Sequence, residues 1–333
     1  EMKSSLKIFL FISVLFGTGK YGDAFLNLGT SARNIALGQA LVADLQNPSG
    51  FNVSPAAVGG IMTKNVYGLF INQFGLAEYG SFGITIPLNK KLTLGINASG
   101  LLIDNIPERP DLRFLTDLEA RRDSIRTLVL KGFDTFQDRE FAATFTIAKM
   151  NHFIVNPGWQ FATFPVRLPL GINIRILHKE LHKIQATGIG VDFGMALSID
   201  LKDVTPYPWL GTLSLGSSLN HILGTRLFWS SDKDELIPMQ LTTGLKMEQP
   251  VQGLRSTLAG YFQLNNQFPD EVQYGFEWTT SQRFAVRMGY QNDSIQGGLG
   301  IQFPLRGVPI TIDYSFSGHQ LGKAHRIGGE FSF

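Results

Sequence analysis

The chain has 333 residues, a formal net charge of +2 and no cysteine. Without cysteine it can form no disulfide, no thiol nucleophile and no cysteine-based zinc site. The near-neutral charge, with no basic stripe or basic helix, gives no support to nucleic-acid binding. The 26 Phe and 36 Gly residues are typical of many-stranded β proteins. One uncharged apolar run, Ile8–Gly19, is shorter than the roughly 18 residues that a transmembrane helix needs.

The first segment has the order of a secretory signal peptide. Lys3 and Lys7 form a positive region, the apolar run Ile8–Phe16 follows, and small residues occupy positions 17–19. This order and length predict a cleavable signal peptide over residues 1–19 rather than an anchor. The mature chain is then expected to begin directly after it.

Residues 20–60 differ from the rest of the chain. They are rich in Ala, Gly, Asn and Ser and show no period-two pattern. Ser31 is a suitable N-cap for a short helix over Ala32–Leu41, and Pro48 and Pro55 interrupt the chain that follows. We therefore predict a compact helix-and-loop segment before the sheet begins.

From residue 61 to residue 333 apolar residues alternate with polar or small ones. Ile172, Ile174 and Ile176, for example, alternate with Asn173 and Arg175. About fourteen such runs follow one another, each about 9–12 residues long, which is the length of a tilted strand that crosses a bilayer. The predicted fold class is all-β, a transmembrane antiparallel β-barrel of about fourteen strands.

Alternation by itself also fits a soluble sandwich. The length of the runs, the very short turns between them and the secretory signal favour the barrel. The largest connection, Asp104–Asp138, is charged, and its part Thr116–Leu128 is expected to form a helix. Shorter loops are expected at about 151–163 and 220–235. The longer connections should face outside the cell.

The end of the chain carries a predicted assembly signal. Ile327, Phe331 and Phe333 alternate with small or polar residues in the last run. Outer-membrane barrels commonly end in an aromatic residue after such a strand. With the signal peptide, this predicts the outer membrane of a diderm bacterium, with its lipid as a partner.

No catalytic or metal-binding arrangement stands out, so we predict a protein that is not an enzyme and has no cofactor. His178 and His182 have a spacing that could chelate a metal on a helix, but they flank a turn between two strands. Gly188 and Gly190 lie inside a strand, where glycine marks close packing or a bend rather than a phosphate loop.

The segment Gly22–Val58 resembles the start of the PorV/PorQ family, within the wider group of FadL-like barrels. Ser54 and Ala57 depart from the family pattern, which has Asn and Gly there. The stretch Ala186–Gly194 and the chain end also resemble this family. The matching residues of the first segment are Ala24, Phe25, Leu26, Gly29, Ala32, Arg33, Gly38, Ala40, Pro55 and Ala56.

The resemblance implies a fourteen-stranded barrel in which residues 20–60 fold as a plug inside the lumen. Arg33 would need a carboxylate partner there, and Asp192, Glu277 or Asp313 could provide it. The plug residues that we single out are Phe25, Leu26, Gly29, Arg33, Gly38 and Pro55.

Several charged residues fall on the polar face of the strands and are predicted to line the lumen. They either satisfy one another in a crowded interior or bind a substrate or partner peptide, and the sequence leaves both possibilities open. The predicted lumen charges are Asp192, Glu277, Arg283, Arg287 and Asp313, with Arg175 beside them.

The resemblance implies a non-enzymatic, type IX secretion-associated barrel whose extracellular loops hold secretion subunits or the C-terminal domains of cargo. The alternative is a FadL-like transporter of hydrophobic compounds, which predicts an apolar pocket lined by Phe25, Leu26 and Leu28. A general porin is the third hypothesis, and a plug argues against it.

Overall fold

The computed structural model describes residues 24–156, 158, 163–267, 271–281, 283–291, 293–319 and 322–333. The predicted signal peptide over residues 1–19 lies outside the described residues.

Sixteen strands and two α-helices make up the regular structure of the described chain. The helices are α1, Ala32–Ala36, and α2, Leu118–Lys131, and 3-10 turns occur at Ala24–Leu28, Gly50–Asn52, Pro55–Val58, Leu201–Asp203 and Gln252–Leu254. The strands are β1 Asn65–Gln73, β2 Ala77–Pro87, β3 Leu92–Pro107, β4 Thr135–Val155, β5 Phe164–Leu181, β6 Ile184–Asp200, β7 Thr212–Asn220, β8 Thr225–Trp229, β9 Asp234–Ile237, β10 Gln240–Val251, β11 Ser256–Asn265, β12 Gln273–Thr280, β13 Phe284–Gln291, β14 Ser294–Leu305, β15 Val308–His319 and β16 Gly322–Ser332.

Fourteen of these strands form a closed antiparallel ring. Strands β1 to β7 pair in chain order, β7 pairs with β10, and β10 to β16 again pair in chain order. The ring closes where β16 pairs with β1, from Asn65↔Ser332 to Asn72↔His325. The prediction of a barrel of about fourteen strands is confirmed. The remaining two strands, β8 and β9, form a hairpin that pairs with β6.

The two faces of the wall differ in polarity, as β5 shows. Ile172 and Ile174 are about half exposed on the outer face (52% and 50%), whereas Asn173 and Arg175 between them are buried. An apolar outer face without protein cover matches lipid, and a buried polar face matches a filled lumen.

The barrel has two distinct ends. At one end, the terminal end, β1 begins and β16 finishes. At the other, the loop end, lies the connection 108–134. The ladder between β3 and β4 continues to Pro107↔Thr135, so this connection is shorter than the predicted Asp104–Asp138.

Helix α2 lies in that connection. Its N-cap Asp117 accepts hydrogen bonds from the backbone of Glu119 and Ala120, which places the helix two to three residues later than predicted. Among the described helices, none is both long and apolar enough to cross a membrane.

The plug helix is shorter than the predicted Ala32–Leu41. Ser31 does cap it, because its Oγ accepts the backbone N–H of Asn34 at 3.2 Å. The helix ends at Ala36 because the chain turns at Gly38, where φ is +62°. A Cβ at Gly38 would lie 2.6 Å from the carbonyl oxygen of Tyr290, so the wall itself forces this turn.

Two predicted loops are partly strand. The expected loop at 151–163 is shortened because β4 continues to Val155. The expected loop at 220–235 instead contains a bulge followed by the hairpin β8–β9. Alternation in this stretch is interrupted by the bulge, which hides the short strands from a period-two pattern.

Candidate functional site

The candidate site is the contact between the plug and the inner face of the wall. Helix α1 packs on β13 to β16, and the turn Pro55–Val58 packs on β4 to β6, on the other side of the ring. Because it touches strands on both sides, the described part of the plug, residues 24–60, spans the lumen.

Arg33 binds two carboxylates, one of the plug and one of the wall. Its Nη1 donates to Asp44 of the plug at 2.9 Å. Its Nη2 and Nε donate to the two carboxylate oxygens of Glu277 on β12, at 2.7 and 3.0 Å. Such a bidentate pair fixes both distance and orientation. Of the three partners that the sequence suggested, the structure places Glu277 beside Arg33.

The network continues along the wall. Arg287 donates to Glu277 at 2.7 Å and to Asp313 at 2.6 Å. On the other side, Lys246 of β10 donates to Asp44 at 2.9 Å. The plug is thus held by a chain of alternating charges that runs from β10 to β15.

Asp44 is the plug residue on which two cations converge. Burial by itself would raise the pKa of the Asp44 carboxyl, but Lys246 and Arg33 outweigh it and lower the pKa below its usual range. Asp44 is therefore a carboxylate at neutral pH.

A second polar cluster surrounds Asp192 on β6. Its carboxylate accepts Nη2 of Arg175 at 2.7 Å and Nδ2 of Asn173 at 3.0 Å. The other oxygen accepts the backbone N–H of His221 at 3.0 Å. Asn173 also donates to the carbonyl of Phe51 in the plug at 2.8 Å. Asp192 therefore connects plug, wall and the bulge after β7.

An apolar cluster lies inside the barrel toward the loop end; we call it the loop-end cluster. Leu28, Leu101 and Trp229 pack against its margin. Phe25 is 2% exposed and Leu26 7%, so these side chains fill the region that was predicted to be an apolar pocket. Its buried members are Phe25, Leu26, Ala32, Ile35, Leu69, Ile71, Tyr79, Ala142, Leu177, Ala186, Leu227 and Ile237.

The wall beside this cluster has a discontinuity, which we call the ladder break. Pairing between β6 and β7 stops at Phe193↔Leu219 and pairing between β6 and β8 starts at Gly188↔Leu227. Four residues of β6, 189–192, therefore face seven residues, 220–226, an excess of three.

The excess residues are accommodated by unusual backbone conformations. His221, Leu223 and Gly224 all have positive φ, and one backbone bond, from Ile222 to Val191 at 2.8 Å, crosses the break. A Cβ on Gly190 would meet Oγ1 of Thr225 at 2.5 Å, so the bulge lies against β6 without room for a side chain there.

A polar cavity of about 450 Å³ lies between plug and wall toward the terminal end. Arg33, Glu277, Arg287 and Asp313 contribute to its lining together with Arg283. Arg283, which was predicted to be a lumen charge, lines this cavity at the exposed rim, one residue before β13 begins.

The remaining predicted plug residues have packing roles. Gly29 has φ +88° and its carbonyl accepts the hydroxyl of Tyr79 at 2.8 Å. Pro55 begins a buried 3-10 turn, and a Cβ on Gly171 of β5 would lie 2.5 Å from its carbonyl. Small residues on both sides allow the two backbones to approach.

The residues of the predicted assembly signal lie on the outer face. Ile327, Phe331 and Phe333 are 64%, 42% and 64% exposed. They form part of the surface that meets lipid in a barrel.

Asp44, Lys246, Tyr261 and His221 were not singled out from the sequence. Arg33 and Asp44 are the only charged residues between positions 24 and 60, and this isolation is the signal that could have identified Asp44. Tyr261, whose hydroxyl donates to Glu277 at 3.0 Å, carries no comparable sequence signal.

No group of three or more His, Cys, Asp or Glu side chains that could hold a metal occurs in the described part of the chain. His178 lies on β5, where its ring contacts Thr187 on the next strand at 3.3 Å. His182 lies in the turn with φ +55°. The two rings therefore do not share a helical face.

No family model matches the chain, and no curated protein matches it in sequence. Solved structures do match. The CymD monoaromatic hydrocarbon channel has a TM-score of 0.50 and 9% identity, over 92% of this chain and 97% of that one. The Pseudomonas putida toluene transporter TodX has a TM-score of 0.46 and 13% identity, over 91% and 98%. A Pseudomonas aeruginosa FadL homologue has a TM-score of 0.42 and 10% identity, over 91% and 97%.

At these identities the likeness concerns the fold. The chain is a closed fourteen-stranded antiparallel β-barrel, and it shares this fold with the CymD channel. Its location is the outer membrane. The narrower resemblance to PorV and PorQ depends on the sequence motifs alone.

Proposed function

We propose that the protein carries small hydrophobic molecules across the outer membrane, and that these molecules leave the lumen sideways at the ladder break. The observation that carries this proposal is the position of the loop-end cluster. Leu227 and Ile237 of the hairpin β8–β9 belong to the same buried cluster as Phe25 and Leu26 of the plug. Apolar contacts therefore lead from the plug to the ladder break.

The rest of the lumen is unsuited to such molecules. Arg33, Asp44 and Glu277 form a network of short ion pairs across the plug, and moving an apolar molecule through it would cost the desolvation of those charges. The start of the plug is held mainly by apolar contacts, with Tyr79 donating to Gly29. In our proposal the turn Ala24–Leu28 moves and the ion-paired part stays in place.

The fold is shared with CymD, a monoaromatic hydrocarbon channel, and this agrees with the proposal. The likeness concerns the fold only, and the substrate class of the present chain is our inference from the loop-end cluster.

The first test removes the ladder break. Deleting residues 221–223 leaves four residues, 220 and 224–226, opposite 189–192, so the strand can pair throughout. We expect uptake of a radiolabelled small aromatic hydrocarbon by cells to fall to the level of cells without the protein. The matched control deletes 230–232 from the tip of the hairpin. Heat-modifiable migration on gels verifies that both barrels fold. Unchanged uptake after deletion of 221–223 would contradict the route.

A second test compares hydrocarbon uptake after replacing each of two buried phenylalanines of the plug by alanine. Phe25→Ala opens space in the loop-end cluster, whereas Phe51→Ala opens it beside Tyr67 and Val58 in a different cluster. We expect faster hydrocarbon uptake for Phe25→Ala and little change for Phe51→Ala. Equal effects would mean that general loosening of the plug, not the proposed route, controls uptake.

A second candidate function is a surface-holding role of the PorV/PorQ type, in which extracellular loops retain secretion-system subunits or cargo C-terminal domains. The observation that favours it is the connection 108–134, whose helix α2 has no buried residue. Replacing residues 109–133 by a short turn should then abolish export of proteins that carry a C-terminal secretion domain. Normal export in that variant would count against this role.

A further inference from the structure

Arg326 differs from the other inward-facing cations of the barrel. It is 6% exposed, and no described carboxylate lies within 4.0 Å of it. The carboxylate two positions along the neighbouring strand, Asp313, is bound to Arg287. By contrast, five cations of the lumen each have a carboxylate at 2.9 Å or less: Arg33, Arg175, Lys179, Lys246 and Arg287.

The hydrogen bonds of Arg326 are also incomplete. Nη1 donates to Oγ of Ser317 at 2.8 Å. Nε is buried and has no hydrogen-bond partner. A guanidinium has five N–H donors and stays charged at any relevant pH, so it cannot relieve its burial by losing a proton.

Other unsatisfied polar groups lie around it. Ser315, opposite Arg326 in the β15–β16 ladder, is fully buried and its Oγ has no partner. Gln296, opposite Ser317 in the β14–β15 ladder, is 7% exposed and its Oε1 has no partner. Its Nε2 donates to Oε1 of Gln291 at 3.5 Å and keeps a second N–H.

An isolated buried charge is costly, and proteins normally pair it or solvate it. Here a guanidinium, two hydroxyls and an amide occupy neighbouring positions on the inner face of the wall, and the guanidinium and the hydroxyls have N–H and O–H donors left over. Donors of this kind are what an oxyanion needs.

We propose that Arg326, Ser315, Ser317 and Gln296 form a binding site for an oxyanion in the loop-end half of the lumen. The group bound is a carboxylate, sulfate or phosphate, either as a free ion or as the head of a larger molecule. This site goes beyond the proposed transport of hydrophobic molecules and does not depend on it.

Apolar residues beside Arg326 fit the second of these sources, the acidic head of a larger molecule. Ile71, opposite Arg326 in the β1–β16 ladder, is fully buried and belongs to the loop-end cluster with Phe25 and Ile35. A molecule with an apolar body and an acidic head could contact both. A free ion would use only the polar side.

The test compares thermal unfolding of purified full-length protein with that of Arg326→Gln, in an uncharged detergent at low ionic strength. The probes are sodium sulfate and sodium benzoate. We expect the Tm of the wild type to rise with the logarithm of anion concentration and that of Arg326→Gln to show only the general salt effect. Without added anion, Arg326→Gln should melt at or above the wild-type temperature, because it removes an uncompensated charge.

Arg287→Gln is the matched control. It removes a paired arginine, so it should melt below the wild type and still respond to anions. An equal anion response of wild type and Arg326→Gln would overturn the proposal, as would a lower Tm of Arg326→Gln in anion-free buffer. A response to sulfate alone would support a free-ion site, and a response to benzoate at lower concentration would support a head-group site.

Discussion

At the scale of single residues, charge pairing decides how the plug is held. Arg33 and Asp44 are the only charges among residues 24–60, and each is paired with an opposite charge on the wall, Arg33 with Glu277 and Asp44 with Lys246. A buried pair adds little net stability compared with apolar packing, but breaking one is expensive because a charge remains without a partner. The network therefore specifies one position of the plug.

Glu277 is the residue whose loss should be most damaging. Glu277→Gln leaves Arg33 and Arg287 each with one carboxylate fewer, and we expect a loss of about 3–5 kcal/mol in the free energy of unfolding. The control is Glu119→Gln on α2, which breaks an exposed pair with Arg122 and should cost less than about 1 kcal/mol. Urea titration of the refolded protein in detergent measures both. Similar losses in the two variants would refute the structural role of the network.

Asp44 gives the network a defined pH dependence. Its pKa is lower in the folded chain than in the unfolded one, so its contribution is complete above the unfolded value of about 4 and is lost as the pH falls further. We expect Asp44→Asn to be less stable than the wild type at pH 7 and to lose less stability between pH 5 and pH 3. Urea titrations across this range test it. Asp123→Asn, in an exposed pair on α2, should leave the wild-type pH curve unchanged.

At the scale of elements, close backbone approach decides where the plug turns. Gly38, at the end of the turn after α1, has φ +62°, and a Cβ there would lie 2.6–2.9 Å from backbone atoms of Tyr290 and Tyr274. Backbone of two paired strands cannot move aside cheaply, unlike the tip of a flexible side chain.

Gly38→Ala should therefore destabilise the protein much more than an alanine that is placed at positive φ without a steric clash. The control Gly75→Ala also places alanine at positive φ (+71°), but no atom lies within 4 Å of its new Cβ. We expect about 1 kcal/mol for Gly75→Ala and several times more for Gly38→Ala. Thermal unfolding or urea titration distinguishes them, and equal costs would show that the plug is not pressed against β12 and β13.

The same reasoning explains the ladder break. Gly188 and Gly190 of β6 lack the side chains that would collide with Arg226 and Thr225, so the bulge can approach the strand. In the sequence these glycines indicate close packing or a bend, but they do not reveal what packs there. That partner comes from the segment 221–226, more than thirty positions later in the chain.

At the scale of the whole molecule, the filled lumen should prevent steady ion flow. The plug spans the ring, and the wall around it is closed by fourteen paired strands. In planar bilayers we expect the wild type to show no steady conductance. A variant without residues 24–60 should conduct. The control lacks 109–133, a deletion outside the lumen, and should stay closed. A porin-like conductance of the wild type would contradict the plugged barrel.

Much of the barrel could be predicted because its determinants are local. Alternation such as that of Ile172, Asn173 and Ile174 follows from the geometry of a strand between lipid and lumen. The sequence therefore predicted a ring of about fourteen strands, but it did not predict the short strands β8 and β9. The lengths of the plug helix and of the loops were less well predicted. Gly38 ends α1 because of strands far along the chain, and nothing within the plug encodes their position.

The sequence by itself determined the class of the protein, the polarity of each face of the wall and the composition of the plug, because these depend on the order of neighbouring residues. The tertiary structure alone decided which charges meet, where the ladder breaks and that no carboxylate of the described residues lies beside Arg326. Those features depend on distances between residues that are remote in the chain, such as Arg33 and Glu277, 244 positions apart. Only closure of the ring around the plug fixes such distances.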